Sequence, residues 1–163
     1  MSARETLGNV EIRPADRPGD IAAIRALLRD YLRESGLDLG FQGFDAELDG
    51  LPGDYAPPRG CLLCAQAGEH VVGCVAFRPL DEERCEMKRL FVRPDFRRSA
   101  LGAALVAAIL ERAREAGYAS MCLDTAPGME RAQALYARFG FRDIARYNDN
   151  PIPGVRFMGV ALR

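Results

Sequence analysis

The sequence predicts a mixed α/β domain with a central sheet of about six to seven strands flanked by helices. Short strand-like runs alternate with stretches of helical periodicity along the chain. A strand, a short basic turn and an apolar helix follow one another directly between Glu86 and Gly117. No linker, repeat or low-complexity segment divides the 163 residues, a length that is enough for one hydrophobic core. We therefore expect residues 1–163 to form a single domain.

The first half of the chain predicts one strand, two helices and a hairpin. Residues 10–14 predict a short strand, and apolar residues on one face predict a helix that ends near Gly36. Residues 44–51 predict a short helix, followed by a Pro/Gly-rich loop. The next predicted strands are 61–67 and 70–78, joined by a tight turn, and then 84–92.

The second half predicts a crossover unit and the last strands of the sheet. A helix over about 100–116 leads to a strand at 118–124, and this connection should be right-handed. A further helix over about 129–139 ends at Gly140. The strands expected to complete the sheet are 141–146 and 155–162.

The turn before the crossover helix has the features of an anion site. The first N–H groups of a helix lack partners within the helix, and the helix dipole is positive there. Arg97 and Arg98 add positive charge beside these donors. Small residues let phosphates approach the backbone, and they are Ser99, Ala100, Gly102 and Ala103. The pattern predicts a site for a pyrophosphate.

Two motifs resemble the GNAT acetyltransferase superfamily. The segment RRSALG at 97–102 is similar to the family's R-x-x-G-x-G/A signature, and LFVRP at 90–94 is similar to its Leu-x-Val-x-Pro strand end. Ala100 replaces the first signature glycine but keeps its N–H. The segment AQALYARFGF at 132–141 resembles the family's A-x-x-L-Y-x-x-x-G-F helix, although Met129 stands where many members have Asn. The loop at 147–154 resembles that of a bacterial subgroup.

The resemblance implies acetyl-CoA as co-substrate and a set of residues that bind it. In the family, backbone N–H groups beside the fourth strand hold the pantetheine arm and polarise the acetyl oxygen. The positions that match are Leu90, Phe91 and Val92. The pyrophosphate would lie on Arg97, Arg98, Ser99, Ala100, Leu101, Gly102 and Ala103. Packing of Leu90 and Val92 in the core is compatible with this role, since the bonds use backbone.

Tyr136 and Glu86 are the candidate acid and base. A phenol of pKa about 10 can return a proton to a thiolate whose conjugate acid has a pKa near 8.5. Packing in the core is the alternative role for Tyr136, which continues an apolar helix stripe. Glu86 precedes Val92 by six residues, so regular alternation would place both on one strand face. Its alternative role is an exposed charge paired with Lys88 or Arg84, with water serving as the base.

Composition narrows the classes of function. A net charge of -1 gives no overall attraction to nucleic acid or to a membrane surface. The start has no signal-peptide core and the longest apolar run is too short to span a bilayer, so we expect a cytoplasmic protein. Cys61 and Cys64 form a C-x-x-C, but they should point to opposite strand faces, and His70 is the only histidine. We therefore expect no metal.

The sequence thus favours an N-acetyltransferase acting on a primary amine of a small molecule by direct attack. The alternative is a catalytically weak acyl-CoA-binding or sensing domain, and a homodimer is left open. The acceptor is not specified by the sequence. Polar residues that could line its pocket are Glu86, Tyr147, Asn148, Asp149, Asn150 and Arg156, and aromatic ones are Tyr31, Phe41, Phe44 and Tyr55.

Overall fold

A seven-stranded sheet forms the centre of the computed structural model, which describes residues 8–36, 43–97 and 99–163. The strand order is β1-β2-β3-β4-β5-β7-β6. All neighbours are antiparallel except β4 and β5, which are parallel. The strands are β1 (Val10–Pro14), β2 (Cys61–Ala67), β3 (His70–Pro79), β4 (Arg84–Val92), β5 (Ser120–Thr125), β6 (Arg142–Asp143) and β7 (Arg156–Ala161). The predicted mixed α/β fold is confirmed.

Helices cover both faces of the sheet. They are α1 (Asp20–Ser35), α2 (Phe44–Asp49), α3 (Leu101–Glu115) and α4 (Glu130–Arg138). Leu105 and Ile109 of α3 pack into one core cluster, to which α4 contributes Tyr136; we call this side of the sheet the α3 face. Ile24 and Leu28 of α1 pack into a second cluster on the opposite side, the α1 face. Each helix presents apolar residues at a spacing of three to four, which buries one side of it against the strands.

Most predicted boundaries agree with the structure to within two residues, but the sixth strand is shorter than expected. The predicted strand 141–146 pairs with β7 only at Arg142 and Asp143. Beyond it the chain leaves the sheet, and Arg146 Nη1 donates to the carbonyl oxygens of Asn148 and Asn150. These bonds fold residues 144–155 into a loop, which we call the β6–β7 loop.

The cysteines of the C-x-x-C motif lie on opposite sides of β2. Cys61 packs against the cluster on the α3 face, whereas Cys64 is buried in the cluster on the α1 face. The two thiols therefore cannot bind one ion together. Among residues 8–36, 43–97 and 99–163 no cluster of three or more potential ligands is suited to a metal ion. No helix within these ranges is both long and apolar enough to cross a membrane.

Strand β4 contains a bulge at Arg89. Ala76 of β3 lies opposite Lys88, but Cys74 lies opposite Phe91, so two residues of β4 face Val75 alone. The extra residue reverses the alternation of side chains. Val92 consequently packs on the α3 face, whereas Glu86, between two residues of that face, points to the α1 face. The expectation that Glu86 shares a face with Val92 is wrong, because it assumed an unbroken strand.

Candidate active site

Strands β4 and β5 separate after a short paired stretch. They pair only from Arg84 opposite Ser120 to Glu86 opposite Cys122, although β4 continues to Val92 and β5 to Thr125. Beyond this point the side of β4 that faces β5 has backbone groups without a strand partner. The gap holds a cavity of about 110 Å³. Its lining residues include Tyr31, Met87, Lys88, Arg89, Leu90, Asp124, Met129, Tyr136 and Asn150.

The cavity connects the two faces of the sheet. Met87 and Tyr136 belong to the cluster on the α3 face. Tyr31 packs against the cluster on the α1 face, where its ring lies 5.1 Å from that of Phe91. Side chains from both faces of the sheet therefore border the gap.

Tyr136 lies at the boundary between the core and the cavity. Its side chain is 8% exposed and its ring lies 5.7 Å from that of Phe141. In the part of the chain that the structure describes, its hydroxyl makes no hydrogen bond. Burial raises the pKa of Tyr136, with a smaller contribution from Tyr31, so the phenol is protonated at neutral pH. The core and site interpretations of Tyr136 are both compatible with this position.

The N-terminus of α3 has the features expected of an anion site. Ser99 Oγ donates to the carbonyl of Phe96 and accepts a 3.2 Å bond from the N–H of Leu101. The N–H groups of Gly102 and Ala103 lie in the first helical turn, where no intrahelical acceptor exists. Ala100 has φ −80° and ψ 14°, a conformation open to any residue. The substitution of alanine for the signature glycine therefore costs no backbone strain. Arg98 lies outside the described residues.

Arg97 is held by Glu34 of α1, a residue that the sequence did not single out. The guanidinium makes two hydrogen bonds to the Glu34 carboxylate, one of them 2.6 Å from Nη2 to Oε2. It also donates through Nε to the carbonyl of Val92 and lies 5.4 Å from the centre of the Phe91 ring. The hydrogen bond from Arg97 lowers the pKa of Glu34 despite the opposing effect of burial. A phosphate that binds Arg97 would compete with this carboxylate.

Glu86 is buried and does not line the cavity. It is 1% exposed. Its Oε1 accepts a 3.0 Å bond from Arg78 Nε, and its Oε2 accepts a 2.5 Å bond from the Tyr147 hydroxyl. Lys88 Nζ lies 3.6 Å from Oε2, whereas Arg84 pairs with Asp81 instead. Both carboxylate oxygens are therefore occupied. In the alternative role, the pairing with Lys88 is found but the expected exposure is wrong, because Tyr147 of the β6–β7 loop covers Glu86.

Asp124 is a carboxylate that lines the cavity, and sequence reasoning missed it. Lys88 Nζ lies 3.3 Å from Oδ1, and Oδ2 accepts bonds of 2.8 Å from Asn148 and 3.2 Å from Asn150. Burial alone would raise the pKa of Asp124, but the charge of Lys88 and the two amides together lower it. Its position near the end of β5 was the only available signal, since Asn148 and Asn150 are 24 and 26 residues away in the sequence.

Only some of the other candidate acceptor residues lie at the cavity. Asn150 lines the cavity, Asn148 donates to Asp124, which also lines it, and the Tyr147 hydroxyl donates to Glu86, which does not. Arg156 pairs with Asp143 and bonds to Gln133, and Asp149 is exposed. Of the aromatic candidates, Tyr31 lines the cavity and Phe44 and Tyr55 are in the core. Phe41 lies outside the described residues.

Comparison with known proteins agrees with this geometry. A model of the acetyltransferase (GNAT) family matches residues 21–141. A protein named as an N-acetyltransferase in Schizosaccharomyces pombe is 42% identical over 157 residues, which cover 94% of this chain and 96% of that protein. The structure of an acetyltransferase from Streptococcus agalactiae has a TM-score of 0.81 at 23% identity, covering 94% of this chain and 99% of that one. A GNAT family acetyltransferase from Elizabethkingia anophelis with acetyl-CoA bound has a TM-score of 0.65 at 19% identity, with coverage of 94% and 99%. The two structures share the fold.

Proposed function

This chain belongs to the acetyltransferase (GNAT) family, and on that premise we propose that it transfers acetyl from acetyl-CoA to a primary amine of a small molecule. The observation that carries the proposal is the cavity between β4 and β5, which joins the two faces of the sheet. A thioester held in this gap from the α3 face is open to an amine from the α1 face.

Acetyl-CoA would bind along the end of β4 and the start of α3. Its pyrophosphate would accept hydrogen bonds from the N–H groups of Gly102 and Ala103 and would pair with Arg97, with Ser99, Ala100 and Leu101 forming the turn around it. Arg98 would add a second charge. The pantetheine arm would lie along the backbone of Leu90, Phe91 and Val92. An N–H group of this stretch, left without a partner on β5, would bind the acetyl oxygen and stabilise the negative charge that develops there.

The acetyl transfer would proceed by direct attack. The amine nitrogen bonds to the acetyl carbon, the carbonyl re-forms, and the bond from carbon to sulfur breaks. Tyr136 would then donate its phenolic proton to the departing thiolate of CoA, and the proton that the attacking nitrogen loses would return to the phenolate through water. Burial keeps the phenol protonated until the thiolate forms but also makes it a weaker acid, so the role rests on its position at the cavity and not on its pKa.

The ammonium of the acceptor must lose a proton before it attacks. Asp124 is suited to hold this ammonium, since its carboxylate lines the cavity and is ionised. Of the two bases that the sequence left open, the geometry favours water, because Glu86 is 1% exposed and does not line the cavity. Glu86 would then act through Lys88 and Tyr147, which it holds in place.

The test is binding followed by turnover. Acetyl-CoA at a hundredfold above Kd stabilises a protein by about 2.7 kcal/mol, which for this length is a Tm rise of about 5–10 °C. Release of the CoA thiol would then be measured over a panel of amino acids, polyamines, aminoglycosides and peptides. A Tm rise without thiol release on any amine would favour the acyl-CoA-binding alternative. No rise at millimolar ligand would refute both functions.

A further inference from the structure

The bulge in β4 places Arg89 in a backbone conformation that is unfavourable for any residue except glycine. Arg89 has φ 62°, and it is the one non-glycine residue with positive φ in the ranges that the structure describes. This left-handed conformation is unfavourable for a residue with a Cβ, and bulges of this kind usually use glycine. Something other than backbone preference must hold Arg89 there.

The side chain of Arg89 supplies this restraint. Its Nε donates to Glu47 Oε2 at 2.6 Å and its Nη2 donates to Glu47 Oε1 at 2.9 Å. The guanidinium carbon lies 4.8 Å from the centre of the Phe44 ring. Both charged side chains are largely buried, 6% exposed for Arg89 and 15% for Glu47. A planar, two-bond pair in such surroundings fixes the guanidinium in one position.

The acidic partner is itself held in place. Tyr55 donates a 3.0 Å hydrogen bond to Glu47 Oε1. Burial alone would raise the pKa of Glu47, but the bonds and charge of Arg89, with the Tyr55 hydroxyl, lower it. The pair is therefore ionised at neutral pH. Helix α2, which carries Glu47, is anchored to the core by Phe44 and Leu48, 2% and 1% exposed.

Arg89 also lies at the point where the proposed chemistry takes place. Lys88, Arg89 and Leu90 line the cavity, and the bulge sets the direction of the N–H groups that follow it. In a regular strand the N–H groups of Leu90 and Phe91 would each point toward the other neighbouring strand, and their side chains toward the other face. The geometry of the gap therefore depends on Arg89 keeping its left-handed conformation.

We propose that the Glu47–Arg89 ion pair locks the β4 bulge in the conformation that orients the backbone N–H groups for the acetyl oxygen. Glu47 and Arg89 are then positioning residues, and α2 acts on the reaction through the strand. The inference rests on the proposed acetyl transfer for its catalytic part, whereas the lock itself can be tested without turnover.

Two substitutions of Arg89 distinguish the effect of its backbone conformation from the effect of its side chain. Arg89→Ala removes the ion pair and keeps a Cβ, whereas Arg89→Gly removes the pair but adopts positive φ freely. We expect Arg89→Ala to lower kcat by about tenfold or more with KM for acetyl-CoA changed by less than about threefold, because misplaced groups lose transition-state contacts. Arg89→Gly should recover most of this loss. Arg84→Ala, at the exposed start of the same strand, should match the wild type.

Equal loss of kcat in the alanine and glycine variants would overturn the proposal, because it would mean that the guanidinium itself contacts substrate. Wild-type kcat in both variants would also overturn it. The measurement without turnover is the pair of amide signals of Leu90 and Phe91 in ¹H–¹⁵N spectra of Glu47→Gln. Shifted signals support the lock and unchanged signals refute it. An inactive wild type would refute the proposed function alone, and the spectra would still decide on the lock.

Discussion

Replacing Tyr136 by Phe should make the protein more stable and less active. The substitution keeps the ring, which packs against Phe141, and removes only a hydroxyl that has no hydrogen-bond partner in the described chain. Burying an unpaired hydroxyl costs about 1–3 kcal/mol, and we take the lower end, about 1 kcal/mol, because the hydroxyl borders a cavity that can admit water. For a chain of this length, about 1 kcal/mol corresponds to a Tm rise of about 2–4 °C.

Expressed as a free energy, the loss of activity should be larger than this gain in stability. General acids contribute about 100- to 10,000-fold to rates, but a thiolate with a conjugate-acid pKa near 8.5 leaves partly without help, so we expect kcat to fall by at least about tenfold. The dissociation constant for acetyl-CoA should stay within about twofold, since the hydroxyl acts on the departing thiolate rather than on bound substrate. Calorimetry, thermal unfolding and the thiol-release assay give the three quantities.

Tyr118→Phe is the matched control. Tyr118 is 1% exposed in the same core cluster, but its hydroxyl donates a 2.6 Å hydrogen bond to the carbonyl of Arg59. This variant should lose about 1 kcal/mol of stability and keep its kcat, because a bonded group is removed far from the cavity. If Tyr136→Phe keeps at least half of the wild-type kcat, Tyr136 is not the acid. A Tm that falls as in Tyr118→Phe would show that its hydroxyl has a structural partner.

Three further outcomes are expected. Glu34→Gln frees Arg97 and should tighten acetyl-CoA binding about two- to fivefold by calorimetry, since a partly exposed ion pair is worth about 0.5–1 kcal/mol; weaker binding would show that Glu34 helps to hold the ligand. Glu86→Gln should lower Tm by about 4 °C or more through the broken buried pair while the pH–rate profile keeps its shape, and a shifted acidic limb would assign the base to Glu86. The hydrogen bond from Arg13 lowers the pKa of Asp20 despite burial, so its stabilisation is complete above the unfolded value of about 4 and is lost as the pH falls through the lower folded value. Asp20→Asn should therefore flatten the fall of Tm as the pH drops below about 4, and an equally steep fall in both proteins would contradict this.

Local patterns were enough to predict the fold, including the strand, turn and helix on which the proposed cofactor site rests. The strand Val10–Pro14 and the strand–turn–helix order around Arg97 depend on residue periodicity and turn residues, which act over a few positions. Ala100 also has the ordinary backbone conformation that its own preference suggests.

The proposed acceptor side depends on contacts between residues far apart in the sequence, which local patterns do not predict. The bulge at Arg89 reversed the expected face of Val92, and the side chain of Arg89 pairs with Glu47, 42 residues earlier in the chain. Asp124 became a site residue only because the β6–β7 loop brings Asn148 and Asn150 to it. Positive φ at an arginine has no sequence signal, since only tertiary contacts make it stable.

Because β7 lies between β5 and β6, the assembly of the proposed acceptor side and the solubility of the chain depend on the same strand. Until β7 docks, β5 has an open edge beside Asp124, and β6 has no strand to pair with. The unpaired N–H and C=O groups of an open strand edge can bond to strands of other molecules, which leads to aggregation. During synthesis, the acceptor side and the protection of this edge therefore arise in the same late step. A chain interrupted after Asp143 should therefore appear in the insoluble fraction of a pelleting assay, and a soluble fragment would contradict this.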